Sequence, residues 1–386
     1  MRRTMPARTI CRRASTGGAV IMMRTATTAH RRPLTTDKQR TPMPTRQRIA
    51  VLIGLLISAF FLWIAFRNLN PLSIVDELRN INLLWTLVTL VVFFGSVYAI
   101  AWRWQFLVNA IKPVPFAPLN GLVWVGYMGN NVYPFRTGEA LRAYLLQRNH
   151  DVPFVKGMTT IVVERLLDGL VLVTLMLGSL LLTDIVSDDV RRLLQVAAPL
   201  FALMTVAFFV LATVPRILRR LGRIVSAILP GKLGEIAGRI TADISEGLGG
   251  LRSPWQLAGT VFASYLTWLL QGLTYWAMAF AFNIEATLPL MLLVVGAANL
   301  AGLIPASPGQ IGVFEFFASA VLIASGVNEA LALTYALTLH VLVWLPMVIA
   351  GFIVLVRQGL GWRAVTQAHQ IDVQTAEAPA DAPSHT

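Results

Sequence analysis

"APLNGLVWVGYMGNNVYPFRTGEALRAYLLQ", residues 117–147, decides how this chain folds. Its apolar part, "APLNGLVWVGYMG", ends at residue 129, whereas a helix needs ~20 mostly apolar residues to cross a bilayer. "NNVYP" then interrupts the pattern, and a short helix is predicted to begin near Thr137. Backbone broken at membrane depth is tolerated only where protein or a water-filled cavity surrounds it. The stretch therefore predicts a re-entrant helical hairpin instead of a plain span. Across its break Arg136, Glu139 and Arg142 recur at three-residue intervals.

The surroundings are apolar throughout. Of 386 residues, 56% are hydrophobic and 13% charged, against roughly 25% charged in soluble domains. The chain reads as an all-α polytopic membrane protein in the cell membrane. Full spans are predicted at about 49–66, 82–108, 155–183, 193–214, 256–283 and 330–356, each of bilayer-crossing length. A second broken hairpin is predicted over 287–324, around "LIPASPGQIGVFE". Six spans plus two interrupted hairpins give about eight or more membrane helices. The arginines of "PRILRRLGR", 215–223, place the segment 215–254 on the cytoplasmic side by the positive-inside rule. Within it Leu233, Ile236, Ile240, Ile244 and Leu248 share one helical face, the pattern of an interfacial amphipathic helix or of one packed under the bundle. Parity then puts both termini in the cytoplasm and lets the two hairpins enter from opposite faces, an arrangement like the inverted repeats of secondary transporters. "AWRWQF", 101–106, reads as an interfacial anchor of Trp102, Arg103 and Trp104.

Net charge of +13 suggests a nucleic-acid binder until it is located. Residues 1–48 hold twelve Lys/Arg against the single acid Asp37, so the excess belongs to the tail. No recognition element accompanies it, and nucleic-acid binding is not expected. The basic tail, 1–46, fits a cytoplasmic anchor, a transit-like leader or a start placed upstream of Met43. The domain proper is predicted over 47–360, with a disordered Ala/Pro/acid-rich tail over 361–386. Cys11 is the one cysteine, and His30, His150, His340, His369 and His385 lack paired spacing. No metal or cofactor site is expected. His340 reads as a packed helix residue.

Ionisable residues within spans are costly and are functional hypotheses by default. Three constellations qualify. In the first, the Asn130/Asn131 side chains and free amides of the break lie beside Arg136, with Glu139 in the first helical turn and Arg142 on its face. Arginine binds oxyanions bidentately and helix N-termini favour anions, so this chemistry suits a phosphate or carboxylate headgroup. In the second, "VVERLLDGL" (162–170), Glu164 and Asp168 share a face with Arg165 about 100° away. Two carboxylates against one arginine require a protonated acid or a cation from elsewhere, for which Arg136 and Arg142 are candidates. An ion-pair lock, a proton or cation relay and headgroup contact are the alternatives. In the third, "SPGQIGVFE" (307–315), Pro308 and Gly309 break the helix, Ser307 is placed to cap its restart, Gly309 and Gly312 permit close approach, and Glu315 stands isolated between phenylalanines. A tight turn at the membrane surface is the plainer reading.

"NNVYPFRTGEALRAYLL", "VVERLLDGL" and "PASPGQIGVFE", in this order, resemble the flippase-like family built on the transmembrane domain of lysylphosphatidylglycerol synthase. The resemblance covers about residues 45–360 and implies an integral inner-membrane protein, with lipid translocation proposed for members. It carries over Asn131, Pro134, Arg136, Gly138, Glu139 and Arg142 from the first motif. Glu164, Arg165 and Asp168 follow from the second, and Ser307, Pro308, Gly309, Gly312 and Glu315 from the third. The synthase has an aminoacyltransferase domain after its membrane part; this sequence does not continue that far, and aminoacylation by this chain alone is not expected. The leading expectation is a lipid translocase that binds an anionic or polyprenyl-linked headgroup. Lacking a P-loop, since "PGKLGE" at 230–235 does not match, it would draw on a gradient or a partner. A non-catalytic partner of a soluble cell-envelope transferase is the second expectation. An intramembrane transferase or hydrolase with Glu139 or Asp168 as base is the third, and no His/Cys cluster supports it.

Overall fold

The computed structural model describes residues 45–67, 71–133, 137–183, 215–228, 253–302 and 307–358, together with positions 203 and 238. Pro134, Arg136, the span expected at 193–214, the apolar face at 233–248 and both tails lie outside the described residues. The described residues form helices and no strands. In order these are α1 (Thr45–Phe66), α2 (Pro71–Arg79), α3 (Leu83–Asn109), α4 (Phe116–Val132), α5 (Gly138–His150) and α6 (Phe154–Leu181). There follow α7 (Pro215–Ile228), α8 (Pro254–Ala281), α9 (Leu288–Ala301), a 3₁₀ turn (Pro308–Gln310), α10 (Val313–Ala324) and α11 (Glu329–Arg357).

Local chemistry explains the boundaries. Asn82 starts α3 by accepting the backbone N–H groups of Leu84 and Trp85 at 3.0 and 3.3 Å. Asn328 does the same for Ala330 and Leu331 at the head of α11. Such caps satisfy donors that a helix leaves orphaned. The stop of α4 follows from sequence: Tyr133 is extended at φ −102°, ψ 147°, as the residue before a proline prefers. Helix α2 was not anticipated; its nine residues follow directly on the first span.

Among the described residues, two helices, α3 and α11, are long and apolar enough to cross a membrane by length and composition. Helices α6 and α8 have 28 residues each, about 42 Å at 1.5 Å per residue, and α8 carries no Asp, Glu, Lys or Arg. Along α11, Val341, Leu345, Ile349, Phe352 and Val356 are all exposed on one helical face. Leu52, Leu56, Phe60 and Trp63 do the same on α1. Continuous apolar faces of this kind mark a membrane-facing surface.

Helix α3 runs antiparallel to α8, joined from Asn82 N–H to the Ala281 carbonyl at one end and from Gln271 to Ser96 in the middle. Both interrupted segments expected from sequence are present as helix pairs. Helix α4 has 17 residues and α5 has 13, roughly 25 and 20 Å long. They lie antiparallel, Gly126 facing Arg142 and Gly129 facing Gly138. The second pair, α9 and α10, has 14 and 12 residues. Helix α11 backs the first pair: a Cβ on Gly351 would strike Trp124 and Met128 of α4. It also packs on α10, so one helix touches both pairs.

Close approach at Gly138 fixes the first hairpin. A Cβ there would run into the Gly126 carbonyl, with the Asn130 nitrogen 2.6 Å away. Small residues let helix backbones approach this closely. Gly138→Ala should therefore lower the unfolding temperature of the detergent-solubilised protein by several degrees, since overpacking costs about 1–3 kcal/mol. Gly169→Ala, where an added Cβ meets nothing within 4 Å, should leave it unchanged or slightly raised.

Candidate functional site

The first site is built on α6. Glu164 and Asp168 stand one turn apart and are both buried. Three guanidiniums reach them, one each from α3, α5 and α6 itself. Arg142 makes a bidentate pair with Glu164, at 2.6 Å to Oε2 and 3.3 Å to Oε1. Arg103 pairs with Asp168 through both terminal nitrogens and with Glu164 at 3.0 Å. Arg165 contacts Glu164 at 2.8 Å, Asp168 at 3.3 Å and Glu139 of α5 at 3.6 Å. Three arginines against three carboxylates leave no net formal charge.

Tryptophans complete the enclosure. The Arg142 guanidinium lies 3.8 Å from the Trp104 ring centroid, a cation–π arrangement. Trp104 donates its indole N–H to Thr160 at 3.0 Å, and Trp268 of α8 donates to Asp168 at 2.9 Å. Four helices are thus tied at one buried point. Breaking one partner out of such a network is strongly destabilising, because it strands a buried charge.

Arg103 corrects the sequence reading. Instead of anchoring at an interface it is 0% exposed, as is Trp104, and only Trp102 keeps an exposed ring. Charge counting had the signal: the two acids of "VVERLLDGL" face a single arginine there, and Arg103 is the one arginine or lysine set within an apolar span of α3, α8, α9 or α10. The expectation that Arg142 would serve α6 is met by its pair with Glu164.

The second site lies where the two helix breaks meet. A Cβ on Gly309 would sit 2.8 Å from Trp344 Nε1 of α11 and 3.5 Å from the Asn131 carbonyl at the end of α4. Asn131 also donates its side-chain amide toward the Met347 sulfur at 3.7 Å. The Ser307 N–H donates to Ser58 Oγ of α1 at 2.9 Å. Gly309, Gln310 and Gly312 all take positive φ, +73°, +60° and +89°. Buried and without a hydrogen-bond partner around this junction are Asn130 Oδ1, Thr137 Oγ1, Ser307 Oγ and Trp344 Nε1. Buried polar atoms are nearly always paired, so such a group of orphans calls for a ligand or water.

Two expectations change here. Ser307 does not cap the restarting helix with its side chain; Glu315 does, its carboxylate accepting the Gly312 N–H at 2.6 Å. Nor is Glu315 isolated: its other oxygen lies 2.6 Å from His340 Nδ1. Pro308 opens the 3₁₀ turn as expected.

Residues 51–351 match the family model for the lysylphosphatidylglycerol synthase transmembrane region. The chain belongs to this family. Among its relatives, a UPF0104 membrane protein of Pyrococcus horikoshii is 25% identical over 80% of this chain and 97% of its own length. Another, from Methanothermobacter thermautotrophicus, is 24% identical over 73% of this chain and 84% of its own. The glycosyltransferase AglD of Haloferax volcanii is 24% identical over 76% of this chain, and the match spans about half, 52%, of that protein. As a member of this family the chain is a helical membrane protein, in agreement with its apolar helices.

In this protein, Arg103→Met should cost about 3–5 kcal/mol of stability by leaving one buried negative charge of the cluster uncompensated. Pairing it with Asp168→Asn should recover much of the loss. Thermal unfolding of the single and double variants in one detergent reads both effects.

Proposed function

We propose that this protein is a lipid translocase of the cell membrane whose headgroup site lies between the two helix breaks. The observation that carries the reading is the cluster of unpartnered polar atoms on Asn130, Thr137, Ser307 and Trp344, at the point where Gly309 meets Asn131. An indole N–H and two hydroxyls can donate to the oxygens of a phospholipid or lipid-linked headgroup, and the Asn130 carboxamide oxygen can accept from a headgroup hydroxyl or ammonium group. Arg136, which the sequence sets in the link between α4 and α5, supplies the positive charge for an anionic group. Arg103, Arg142, Arg165, Glu139, Glu164 and Asp168 serve as the fixed wall beside it, because their charges are already matched among themselves.

In this reading α4–α5 and α9–α10 are re-entrant hairpins from opposite faces, the termini are cytoplasmic, and headgroup passage needs no covalent chemistry. The driving force is a gradient or the lipid's own concentration difference. Similarity to part of a protein named as a glycosyltransferase favours one second reading: a membrane partner that holds a lipid-linked headgroup for a transferase.

Reconstitution into phosphatidylcholine vesicles with fluorescent phosphatidylglycerol, or with a labelled polyprenyl phosphate, separates the two. Translocation predicts protein-dependent movement of one probe between leaflets, slowed about tenfold, or ~1.4 kcal/mol, by Trp344→Phe and by Arg136→Ala. Movement of neither probe, with retained binding detected by native mass spectrometry, would sink translocation in favour of the holding role.

A further inference from the structure

Glu315 and His340 are a buried titratable pair that the headgroup site does not use. They are 2% and 8% exposed. One carboxylate oxygen lies 2.6 Å from the imidazole Nδ1, and the other accepts the Gly312 N–H at 2.6 Å. The Phe314 ring covers the imidazole at 4.4 Å. A single carboxylate thus caps α10 and holds a side chain of α11. The turn it caps, with left-handed Gly309, Gln310 and Gly312, is one that a non-glycine residue rarely enters unaided. Its geometry depends on the bonds it makes.

Among the described residues, nothing else charged is paired with these two side chains. Helix α9 has no titratable side chain, and α1 carries arginines only in its first turn, Arg46 and Arg48, with Arg67 just beyond its end. Helix α8 brings the phenols Tyr265 and Tyr275, the latter 6.2 Å ring to ring from Phe314. Helix α4 brings Tyr127, and α3 brings Tyr98 and Arg103, the latter bound to α6. Helix α2 carries Asp76, Glu77 and Arg79, and α11 itself Glu329, Tyr335 and Arg357. Tyr335 donates to the Tyr275 carbonyl. Among the described residues, neither Glu315 nor His340 ion-pairs with anything but the other.

We propose that Glu315 and His340 form a one-proton site that sets the conformation of the second helix break. With one proton between them the pair has no net charge and the capped turn is closed. Removing that proton leaves a buried negative charge without a partner, which is strongly disfavoured. The carboxylate then draws in water, and the turn that it caps opens beside Gly309 and Trp344. The proton is taken from water and returned to it, with no other bond made or broken. This inference rests on the headgroup reading only in treating the break as one wall of that site.

The test uses the full-length protein with ¹⁵N-labelled histidine in nanodiscs, and no lipid substrate. Imidazole nitrogen shifts are followed from about pH 5 to about pH 9, the range in which histidine changes charge, with His340 assigned by its loss in H340Q. Hydrogen exchange of residues 307–316, corrected for its intrinsic pH dependence, is measured alongside. The proposal expects His340 to titrate, with exchange rising about tenfold across the same step, a shift of ~1.4 kcal/mol. E315Q, which keeps an acceptor for the Gly312 N–H, should abolish that exchange step. An imidazole unchanged over the whole range, or a step retained in E315Q, would overturn it. Vesicle translocation at a fixed pH reports on the headgroup reading separately, so either can fail alone.

Discussion

Glu164 takes guanidiniums from α3, α5 and its own helix, and the rest of the structure depends on that contact. A carboxylate at 0% exposure among apolar helices is untenable alone. Arg142 is nearly as buried and has its ion pair only with Glu164 among the described residues. Matching three of each sign makes the cluster tolerable, and it also fixes which helices must be neighbours. Trp268 brings α8 to Asp168, and Trp104 covers Arg142. Buried ion networks are weak evidence for stability but well suited to specifying one arrangement. Here the arrangement specified is the packing of a short helix, α5, against long ones.

The same hairpin that delivers Arg142 also ends in Asn130 and Asn131. Its glycines allow α4 and α5 to touch, which sets where the α4 break lies relative to the charge cluster. Helix α11 then brings the second break to the first through Trp344 and Met347. A charge-balanced wall and a polar junction thus share one supporting element. Rigid support beside unsatisfied polar atoms is the usual arrangement of a binding site.

Most of this architecture was legible in the sequence. Apolar length gave the long helices, Pro134 and Pro308 gave the breaks, and the i,i+4 acids of α6 announced a buried polar face. What was not legible depended on pairing across the chain. Arg103 is 65 residues from Asp168, and flanking tryptophans made it resemble a surface anchor. His340 is 25 residues from Glu315 and looked inert on an apolar helix. Ser307 lost its capping role to Glu315 because a carboxylate three residues into a helix can reach back to the N-cap amide. Local pattern identifies which side chains are expensive to bury; only the fold shows how each is compensated.

The central claim is that the junction of the two breaks holds a lipid headgroup beside an already neutral charge cluster. Electron cryo-microscopy of the protein in nanodiscs of native membrane lipid addresses it directly. The account predicts lipid density reaching Trp344 Nε1 and Ser307 Oγ between Asn131 and Gly309, with Arg103, Arg142 and Arg165 still bound to Glu164 and Asp168. A junction closed by protein alone, or a headgroup bound by those three arginines in place of the carboxylates, would contradict it.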